Sequence, residues 1–494
     1  MQQNWSDAAV LPAYKRLIVD EGHHLEDAAA SHLGTSVTRR GLTRLLARLD
    51  RRGKGLLNAL AQRLAAQNDL LGTASLDLVQ SRLTPAAQAA RDKGALLFDL
   101  LETLLREHGE PVLRLTDAFA SHPVWRGGLA VALQDLLGEI ELLHEGLRLV
   151  RERLETDAAR RDAVAPLLAE MRGVARRLQM LGDGLRRALQ PTPGGEEMVR
   201  WLEVRGRDKN VAVSSVPLDL APVLREDLFK RVDTAVITSA TLASNEGFAF
   251  LAGRLGLDQP PVEPSTEVFP SPFRYREQSL LAVPTDVAPP NVDAAGHFQG
   301  VVRATLDLAT RSDGGIFVLF TSHRDVRAAA GELRARGVER RWPLLVHGED
   351  QGRDALLRRF RESERAVLLG TSSFWEGVDV PGHALRGLVI AKLPFRVPTE
   401  PLTAAHCEAI AKRGGDAFRQ FMVPHAALRL KQGFGRLIRT ATDRGAVILC
   451  DPRVVGKPYG RVLLAGLPPA RRVVGPWRAI LAELDGFYAA APAE

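Results

Sequence analysis

The second half of the sequence alternates short apolar runs with helical stretches, and this alternation restricts the possible folds more than any other feature. In chain order the runs are TAVITSATLA (234–243), GGIFVLFTS (314–322), RAVLLGTSS (365–373), GLVIAKLPF (387–395) and GAVILCDPR (445–453). Short apolar strands joined by helices are typical of a parallel sheet covered on both faces. We therefore predict an α/β fold with parallel sheets. Because such sheets bind ligands at the carboxyl ends of their strands, the polar residues after each run are candidate site residues.

The region from about residue 34 to residue 189 has a different pattern. It is rich in Leu, Ala, Arg and Glu, and segments such as LLGEIELLHEGLRLVRERLE (136–155) repeat apolar residues at steps of three and four. This period predicts a bundle of several long helices. The bundle is expected to end at the turn-rich PTPGGEE (191–197), before two strands in WLEVRG and NVAVSSVPLDL.

Composition limits the kind of protein. The net charge of +7 and the pI near 9.7 permit a polyanionic partner without establishing one. The sequence contains no run of eighteen apolar residues, so it predicts no membrane-spanning helix. Its first residues do not resemble a secretory signal. We therefore expect a cytoplasmic protein without a membrane partner. Cys407 and Cys450 are the only cysteines, which excludes a four-thiolate iron–sulfur or zinc site within this chain.

An acidic pair follows the first short apolar run. In RLIVDEGHH (16–24), a strand ending at Val19 would deliver Asp20 and Glu21 to its carboxyl end. Two adjacent carboxylates there can bind and hydrolyse a magnesium nucleotide. Asp20 would hold Mg²⁺ through water, and Glu21 would polarise the water that attacks the γ-phosphate. The same residue types are also favoured at a helix N-cap, and the pair alone does not decide between the two interpretations.

Hydroxyl side chains follow two of the later strands. Ser239 and Thr241 lie after the run at 234–243, and Thr321 and Ser322 after the run at 314–322. The second pair could bind phosphates at a helix N-terminus. Taken alone, Ser239 and Thr241 are better explained by a strand end followed by an ordinary helix cap, and the second pair is a weak signal by itself.

Two further segments carry chemistry-bearing residues. GTSSFWEGVDVPG (370–382) is a glycine-containing loop in which Trp375 is expected to be exposed, although a packed Trp is the alternative. Gln432, Arg436 and Arg439 have the spacing of one helix face. Arginines directed at a transferring phosphoryl group stabilise its charge, whereas a solvated basic face is the alternative interpretation.

Taken in order, these segments resemble the motifs of superfamily 2 helicases, specifically the DinG-like, XPD-related branch. DEGH (20–23) is similar to motif II, the DEAH box, SAT (239–241) to motif III, and TS (321–322) to motif IV. EGVD (376–379) is similar to motif V and QGFGRLIR (432–439) to motif VI. The resemblance covers nearly the whole chain, and its helical region corresponds to the Arch domain of that branch. DEGH in place of DEAH is a departure.

The resemblance implies two RecA-like parallel-sheet motor domains, the first incomplete, with a large all-helical, Arch-like insertion. Residues 1–33 would be a remnant of the first domain with motif II, and residues 34–200 the insertion. Residues 201–285 would complete the first domain with motif III, and residues 286–494 would form the second domain with motifs IV–VI.

The resemblance also implies an ATP-dependent DNA helicase that moves 5′ to 3′ along single-stranded DNA, in DNA repair or replication, with ATP and Mg²⁺ as its cofactors. The catalytic residues would be Asp20, which also holds the metal, Glu21, His23, Arg436 and Arg439. ATP would contact Gly377, Asp379 and Gln432, while Ser239 and Thr241 couple hydrolysis to movement. Single-stranded or forked DNA would lie on Thr321, Ser322, Thr371 and Trp375. The oligomeric state is left open.

The departures from the family pattern are large. No segment fits the phosphate loop GxxxxGK[ST] that should precede motif II, and the nearest, Arg52-Gly53-Lys54-Gly55, lacks the hydroxyl and the preceding strand. An iron–sulfur cluster is not supported within the chain, although one upstream remains compatible with the family. We therefore expect an N-terminally truncated helicase that is inactive alone. We also expect it to aggregate, because an incomplete parallel sheet leaves apolar surface bare.

Two other functions compete with this interpretation. The chain could be a non-catalytic nucleic-acid-binding remnant of such a helicase, but a decayed site has no reason to keep Glu21, Arg436 and Arg439. Nuclease activity, which some relatives carry in a separate domain, is supported by no residue of this sequence.

Overall fold

The computed structural model describes residues 14–66, 70–155, 161–191, 197–206, 208–243, 247–260, 262–349, 352–371, 374–375, 380 and 382–490. The chain divides into two compact units. One, which we call the α/β unit, comprises Met1–Leu25 and Ala221–Glu494, and the other, the insertion unit, comprises Glu26–Leu220. None of the described helices is both long enough and apolar enough to span a membrane.

The insertion unit is built from long helices and a small antiparallel sheet. The helices are α1 (Leu25–Leu33), α2 (Arg39–Leu49), α3 (Leu56–Ala65), α4 (Leu70–Asp77), α5 (Thr84–His108), α6 (Ala130–Glu155) and α7 (Arg161–Leu189). The strands are β2 (Thr35–Thr38), β3 (Val112–Leu115), β4 (Met198–Arg205) and β5 (Asn210–Pro217), in the order β2-β5-β4-β3. Buried positions on α6 recur every three or four residues, as in Leu133, Leu136 and Ile140. The predicted helical bundle is therefore present.

The predicted hairpin forms, but in a different place from the one expected. β4 and β5 pair with each other and with β2 and β3, inside the insertion unit and not as part of the first motor domain. Its partners are strands of four residues embedded in a helical pattern, so the sequence did not reveal them. The insertion unit consequently runs to Leu220, twenty residues past the expected boundary at residue 200.

The α/β unit contains two parallel sheets within the described residues. The small sheet pairs β1 (Arg16–Val19) with β6 (Thr234–Ile237). The large sheet has the order β13-β7-β12-β11-β8-β10-β9. Its strands are β7 (Ser279–Pro284), β8 (Ile316–Leu319), β9 (Leu344–Val346), β10 (Val367–Gly370), β11 (Gly387–Ile390), β12 (Gly445–Leu449) and β13 (Arg471–Gly475). Each of the five predicted apolar runs contains one strand, so the predicted parallel α/β fold is confirmed.

The α/β unit also contains helices, most of which pack around the large sheet. They are α8 (Ala221–Asp227), α9 (Ala249–Leu255), α10 (Tyr275–Gln278), α11 (Ala294–Ser312), α12 (His323–Ala335), α13 (Arg353–Ser363), α14 (Pro401–Lys412), α15 (Val423–Phe434), α16 (Arg453–Gly456), α17 (Tyr459–Ala465) and α18 (Trp477–Ala489). Successive residues of one strand belong to different cores: Phe317 packs in one cluster, and its neighbours Ile316 and Val318 pack in the other. Both faces of the sheet are therefore covered, and ligands have access at its carboxyl edge.

Candidate functional site

The acidic pair lies where β1 and β6 end side by side. Val19 is in register with Ile237, so Asp20 and Thr238 leave their strands together. The Thr238 hydroxyl donates to Asp20 Oδ1 at 3.0 Å, and the Glu21 amide donates to the same oxygen at 2.9 Å. The Gly22 amide donates to the Thr238 carbonyl at 2.9 Å. Residues from two strands therefore fix the acidic turn.

The backbone of this turn is unusual. Glu21 has φ 52° and ψ 44°, the left-handed region, and its side chain makes no capping hydrogen bond to the short 3₁₀ turn Gly22–His24 that follows. A non-glycine residue in this region costs of order 1–3 kcal/mol and persists where its surroundings hold it. The helix N-cap interpretation of the pair therefore does not describe Glu21. Its carboxylate is directed into a hydrogen-bond network instead.

Ser239 is the centre of that network. Its hydroxyl donates to Glu21 Oε2 at 2.9 Å and lies 2.8 Å from His23 Nδ1. Because a serine hydroxyl carries one hydrogen, which goes to the carboxylate, His23 must donate from Nδ1 to the Ser239 oxygen. The geometry thus selects the tautomer of His23 that is protonated at Nδ1. The Thr241 amide also donates to this oxygen, at 3.2 Å.

The network continues into the second predicted motor domain. Thr241 Oγ1 lies 3.2 Å from Ser239 Oγ and 3.3 Å from His23 Nδ1. Gln432, near the end of α15, donates from Nε2 to Thr241 Oγ1 at 3.4 Å. The structure therefore joins Glu21 to Gln432 through two hydroxyl groups, and it brings together residues of the predicted motifs II, III and VI.

Arg436 and Arg439 do not share a helix face with Gln432, and this prediction is wrong. α15 ends at Phe434, and both arginines lie in the irregular segment beyond it. The buried carboxylate of Asp443 accepts the backbone amides of Arg439 and Thr440 at 2.7 and 2.8 Å, which holds the chain in a turn. The helical spacing of Gln432, Arg436 and Arg439 does not reveal this turn.

Arg436 binds the protein itself. Its side chain is buried, and Nε and Nη2 donate to the carbonyl oxygen of Trp375 at 3.1 and 2.9 Å. Arg436 of the predicted motif VI thereby binds the backbone of the loop 370–382, at the residue directly before the predicted motif V. Gly377 and Asp379, the predicted ATP contacts in that loop, lie outside the described residues.

Trp375 is buried, so the prediction of an exposed indole is wrong, while its contact with DNA stays a prediction. Only 2% of the residue is accessible, and a Cβ added to Gly433 would lie 2.8 Å from its ring. The alternative of a packed Trp is the one observed. Thr371 is also buried, and its hydroxyl is 2.9 Å from His347 Nδ1. Burial and the neighbouring charges of His323 and Arg353 lower the pKa of His347.

The predicted motif IV residues follow β8 as expected. Ser322 caps α12, because its hydroxyl accepts the Asp325 amide at 3.1 Å, so the helix-cap alternative holds for this side chain. Thr321 is exposed at the carboxyl edge of the large sheet. Contact of either residue with DNA stays a prediction.

Asp20 fits the proposed magnesium role. The hydrogen bonds described for its side chain go to Oδ1, which leaves Oδ2 without one among the described residues. A free carboxylate oxygen is a ligand that Mg²⁺ prefers. Within the described part of the chain, no group of three or more His, Cys, Asp or Glu residues could hold a metal ion. A metal at Asp20 would therefore take its remaining ligands from water and phosphate.

The sequence missed one residue of this site. Thr238 lies directly after β6 and binds Asp20, whereas the predicted site included only the SAT segment that follows it. A signal was available, because Thr238 is the first polar residue after a predicted parallel strand, and ligands bind at the carboxyl ends of such strands.

Comparison with known proteins finds similarity to helicases. The family model described as "Helicase C-terminal domain" matches residues 305–470, which include Ser322, Gln432 and Arg436. The chain is 33% identical to ATP-dependent DNA helicase YoaA of Escherichia coli over 94% of its own length and 64% of the relative. It is 30% identical to ATP-dependent DNA helicase DinG of Photobacterium profundum, over 92% of this chain and 64% of that protein.

A solved structure shows the same fold. Xpd4 of S. tokodaii aligns with 95% of this chain and 78% of its own, with a TM-score of 0.53 and 14% sequence identity. The predicted resemblance to DinG-like, XPD-related proteins is therefore confirmed. The chain spans slightly less than two thirds of the length of the two curated relatives.

Proposed function

We propose that this chain, a homologue of the DinG and YoaA proteins, supplies the motor of an ATP-dependent DNA helicase. The observation that carries the proposal is the hydrogen-bond network from Glu21 through Ser239 and Thr241 to Gln432. It connects a carboxylate suited to activate water with a residue of the second motor domain. A change in the charge or position of Glu21 during hydrolysis would alter these hydrogen bonds and so the contact with Gln432 on α15.

Each residue of the network has a distinct task in this proposal. Glu21 accepts a proton from the attacking water, and Ser239 holds its carboxylate in place through the bond at 2.9 Å. His23 donates to Ser239, so it orients the hydroxyl toward Glu21. Asp20 would hold Mg²⁺ through water, and the ion would supply positive charge to the nucleotide phosphates. Arg439 remains the candidate arginine finger, because Arg436 already binds Trp375.

The DNA is proposed to lie at the carboxyl edge of the large sheet. Thr321 is exposed there, and the net charge of +7 favours a polyanion. Contacts to phosphates are independent of sequence and weaken with salt. The substrate in this proposal is single-stranded or forked DNA, with movement from 5′ to 3′, in DNA repair or replication.

The chain by itself is proposed to bind DNA without turning over ATP. No segment of the sequence fits GxxxxGK[ST], and the amides of that loop are what hold the nucleotide phosphates. This absence also favours a second candidate function, a DNA-binding remnant without catalysis. The two functions differ in what happens when a phosphate loop is supplied.

Binding of labelled single-stranded DNA, followed by fluorescence anisotropy at several salt concentrations, tests the proposal. We expect salt-dependent binding that does not depend on base sequence, and ATP hydrolysis by the chain no faster than by Glu21→Gln. Failure to bind single-stranded DNA at low salt would contradict the function. Hydrolysis above that of the variant would instead show that the chain is active alone.

A further inference from the structure

A cavity of about 390 Å³ opens at the carboxyl ends of β7 and β12. Thr285 and Pro289 line it from the segment after β7, and Pro452 and Val455 line it from the segment after β12. None of the predicted ATP or DNA residues contributes to its walls. The cavity is therefore separate from the network around Ser239.

The cavity lies on the sheet edge at which DNA is proposed to bind. All strands of the large sheet are parallel, so their carboxyl ends share one edge, and Thr321 follows β8 on that edge. β12 and β8 are separated only by β11, which corresponds to two strand spacings, or roughly 10 Å. A nucleic-acid strand bound at Thr321 can thus extend to the cavity.

One rim of the cavity is cationic. Lys457 is exposed, and its ammonium group makes no hydrogen bond or ion pair in the part of the chain that the structure describes. Arg453 donates from Nε and Nη2 to the buried carboxylate of Asp451 at 2.8 and 2.6 Å. That carboxylate also accepts the Leu393 amide at 3.1 Å, so its charge is well compensated. Lys457 is consequently the group available to an anion.

Carboxylates near the cavity are already occupied by the protein backbone. Asp286 accepts the Trp477 amide at 2.9 Å, and Asp293 caps α11 by accepting the Gly296 amide at 2.8 Å. Neither residue lines the cavity. A phosphate beside Lys457 therefore meets a positive charge and no carboxylate of the cavity wall.

Other lining residues of the cavity are apolar and accessible. Val292 is 76% exposed and Val455 is 40% exposed, and Pro289 and Pro452 also line the cavity. Sites for small organic groups combine apolar walls with a few polar groups that fix orientation. A ligand with a flat apolar part and a negative charge matches this wall and rim.

We propose that this cavity binds one nucleotide of the single-stranded DNA, with its phosphate at Lys457 and its base against Val292 and Val455. The proposal rests on the proposed function and adds a contact beyond the strand ends of β8 and β10. With this contact, the proposed DNA-binding surface at the carboxyl edge of the large sheet extends to β12 and β7.

The test uses labelled single-stranded DNA and four forms of the full chain: wild type, Lys457→Glu, Val292→Ser and Arg340→Glu. Arg340 is an exposed residue that precedes β9, at the opposite, amino-terminal edge of the same sheet, and its substitution makes the same change in net charge. All three positions are exposed, and circular dichroism verifies that the variants fold.

We expect Lys457→Glu to weaken binding by roughly fivefold or more and to lower the slope of log affinity against log salt by about 1. Val292→Ser should weaken binding with an unchanged slope, because its contact is apolar. Arg340→Glu should resemble the wild type. If Lys457→Glu matches Arg340→Glu in affinity and slope while the wild type binds DNA, the cavity proposal is overturned and the proposed function stands. If the wild type does not bind single-stranded DNA, both the cavity proposal and the proposed function are overturned.

Discussion

Gly22 shows how one residue adapts a helicase-like motif to its neighbours. A Cβ added at this position would lie 2.1 Å from Cγ2 of Ile237, well inside van der Waals contact. The residue before it already occupies the left-handed region, so the backbone has little freedom to move away. The departure DEGH for DEAH therefore has a steric reason: with Ile237 in place, alanine does not fit.

The steric contact predicts the effect of restoring alanine. Gly22→Ala should lower the free energy of unfolding by about 1–3 kcal/mol, the usual cost of overpacking. Ile237→Ala removes the clashing methyl group, so the double variant should lose less stability than the sum of the two single variants. Chemical denaturation of all four proteins measures this coupling. Additive losses would mean that the two side chains do not compete for the same space.

The segment after α15 illustrates how a buried carboxylate shapes an element. Asp443 is 3% exposed, and its two oxygens accept two backbone amides and the Thr440 hydroxyl. Gln278 donates to three carbonyl oxygens of the same turn, those of Thr440, Ala441 and Asp443. This turn positions Arg439, the candidate arginine finger.

Asp443→Ala should therefore destabilise the protein by at least about 2 kcal/mol, because it leaves buried amides without an acceptor. Thr440→Val removes only the hydroxyl bond, and we expect a cost of about 1 kcal/mol or less from it. Urea denaturation provides both values. Equal costs for the two variants would contradict the role given to the carboxylate.

The packing of α9 against α14 contains a histidine that the fold keeps neutral. Burial, together with the charges of Arg254, Arg396 and Arg413, lowers the pKa of His406 from 6.5 to about 3. Arg254 approaches both ring nitrogens, at 3.3 and 3.0 Å. Protonation of His406 would place its charge beside a guanidinium group.

The sign of the pH effect follows from this lowered pKa. Above pH 6.5 the folded and unfolded states are both neutral at His406, and below it only the unfolded state takes up the proton. Stability should therefore fall as the pH drops from about 6.5 toward 3, by up to about 1.4 kcal/mol per pH unit. Thermal melts of His406→Gln should show a weaker dependence, whereas exposed His108→Gln should match the wild type. An unchanged slope in His406→Gln would contradict the prediction.

Elements with a strong pattern were predictable, and short or context-dependent ones were not. β8, β10, β11 and β12 are fully buried, so their sequences are continuous apolar runs. β9 has three residues, and β13 is an edge strand that exposes Arg471 and Arg472, so neither shows such a run. Ser239 was singled out because it follows a strand, but its hydrogen-bond network and the partner of Arg436 depend on tertiary contacts that spacing does not reveal.

At the scale of the whole molecule, the small sheet of β1 and β6 differs from the large one. Its strands expose Ile18 by 76% and Val236 by 44%, whereas the central strands of the large sheet are buried. Among the described residues, β1 and β6 pair only with each other. Exposed apolar strands with unpaired edges promote association.

We therefore expect the purified chain to self-associate through this sheet. Replacing Ile18 and Val236 with threonine keeps β propensity and removes apolar surface, so the monomer fraction in light scattering should rise. Val131→Thr, at a 62% exposed position on α6, is the matched control and should have no effect. A wild-type chain that is monodisperse at high concentration would contradict this expectation.

ATP hydrolysis by a chimera is the most direct test of the central claim, that Glu21 and its network belong to a DNA-driven motor. The chimera joins a family phosphate-loop segment ahead of residue 14, and hydrolysis is measured with and without single-stranded DNA. The account predicts hydrolysis that DNA stimulates, that Glu21→Gln abolishes, and that Ser239→Ala weakens. A folded chimera that binds DNA but hydrolyses no ATP, or one whose Glu21→Gln variant is equally active, would contradict it and favour the non-catalytic remnant.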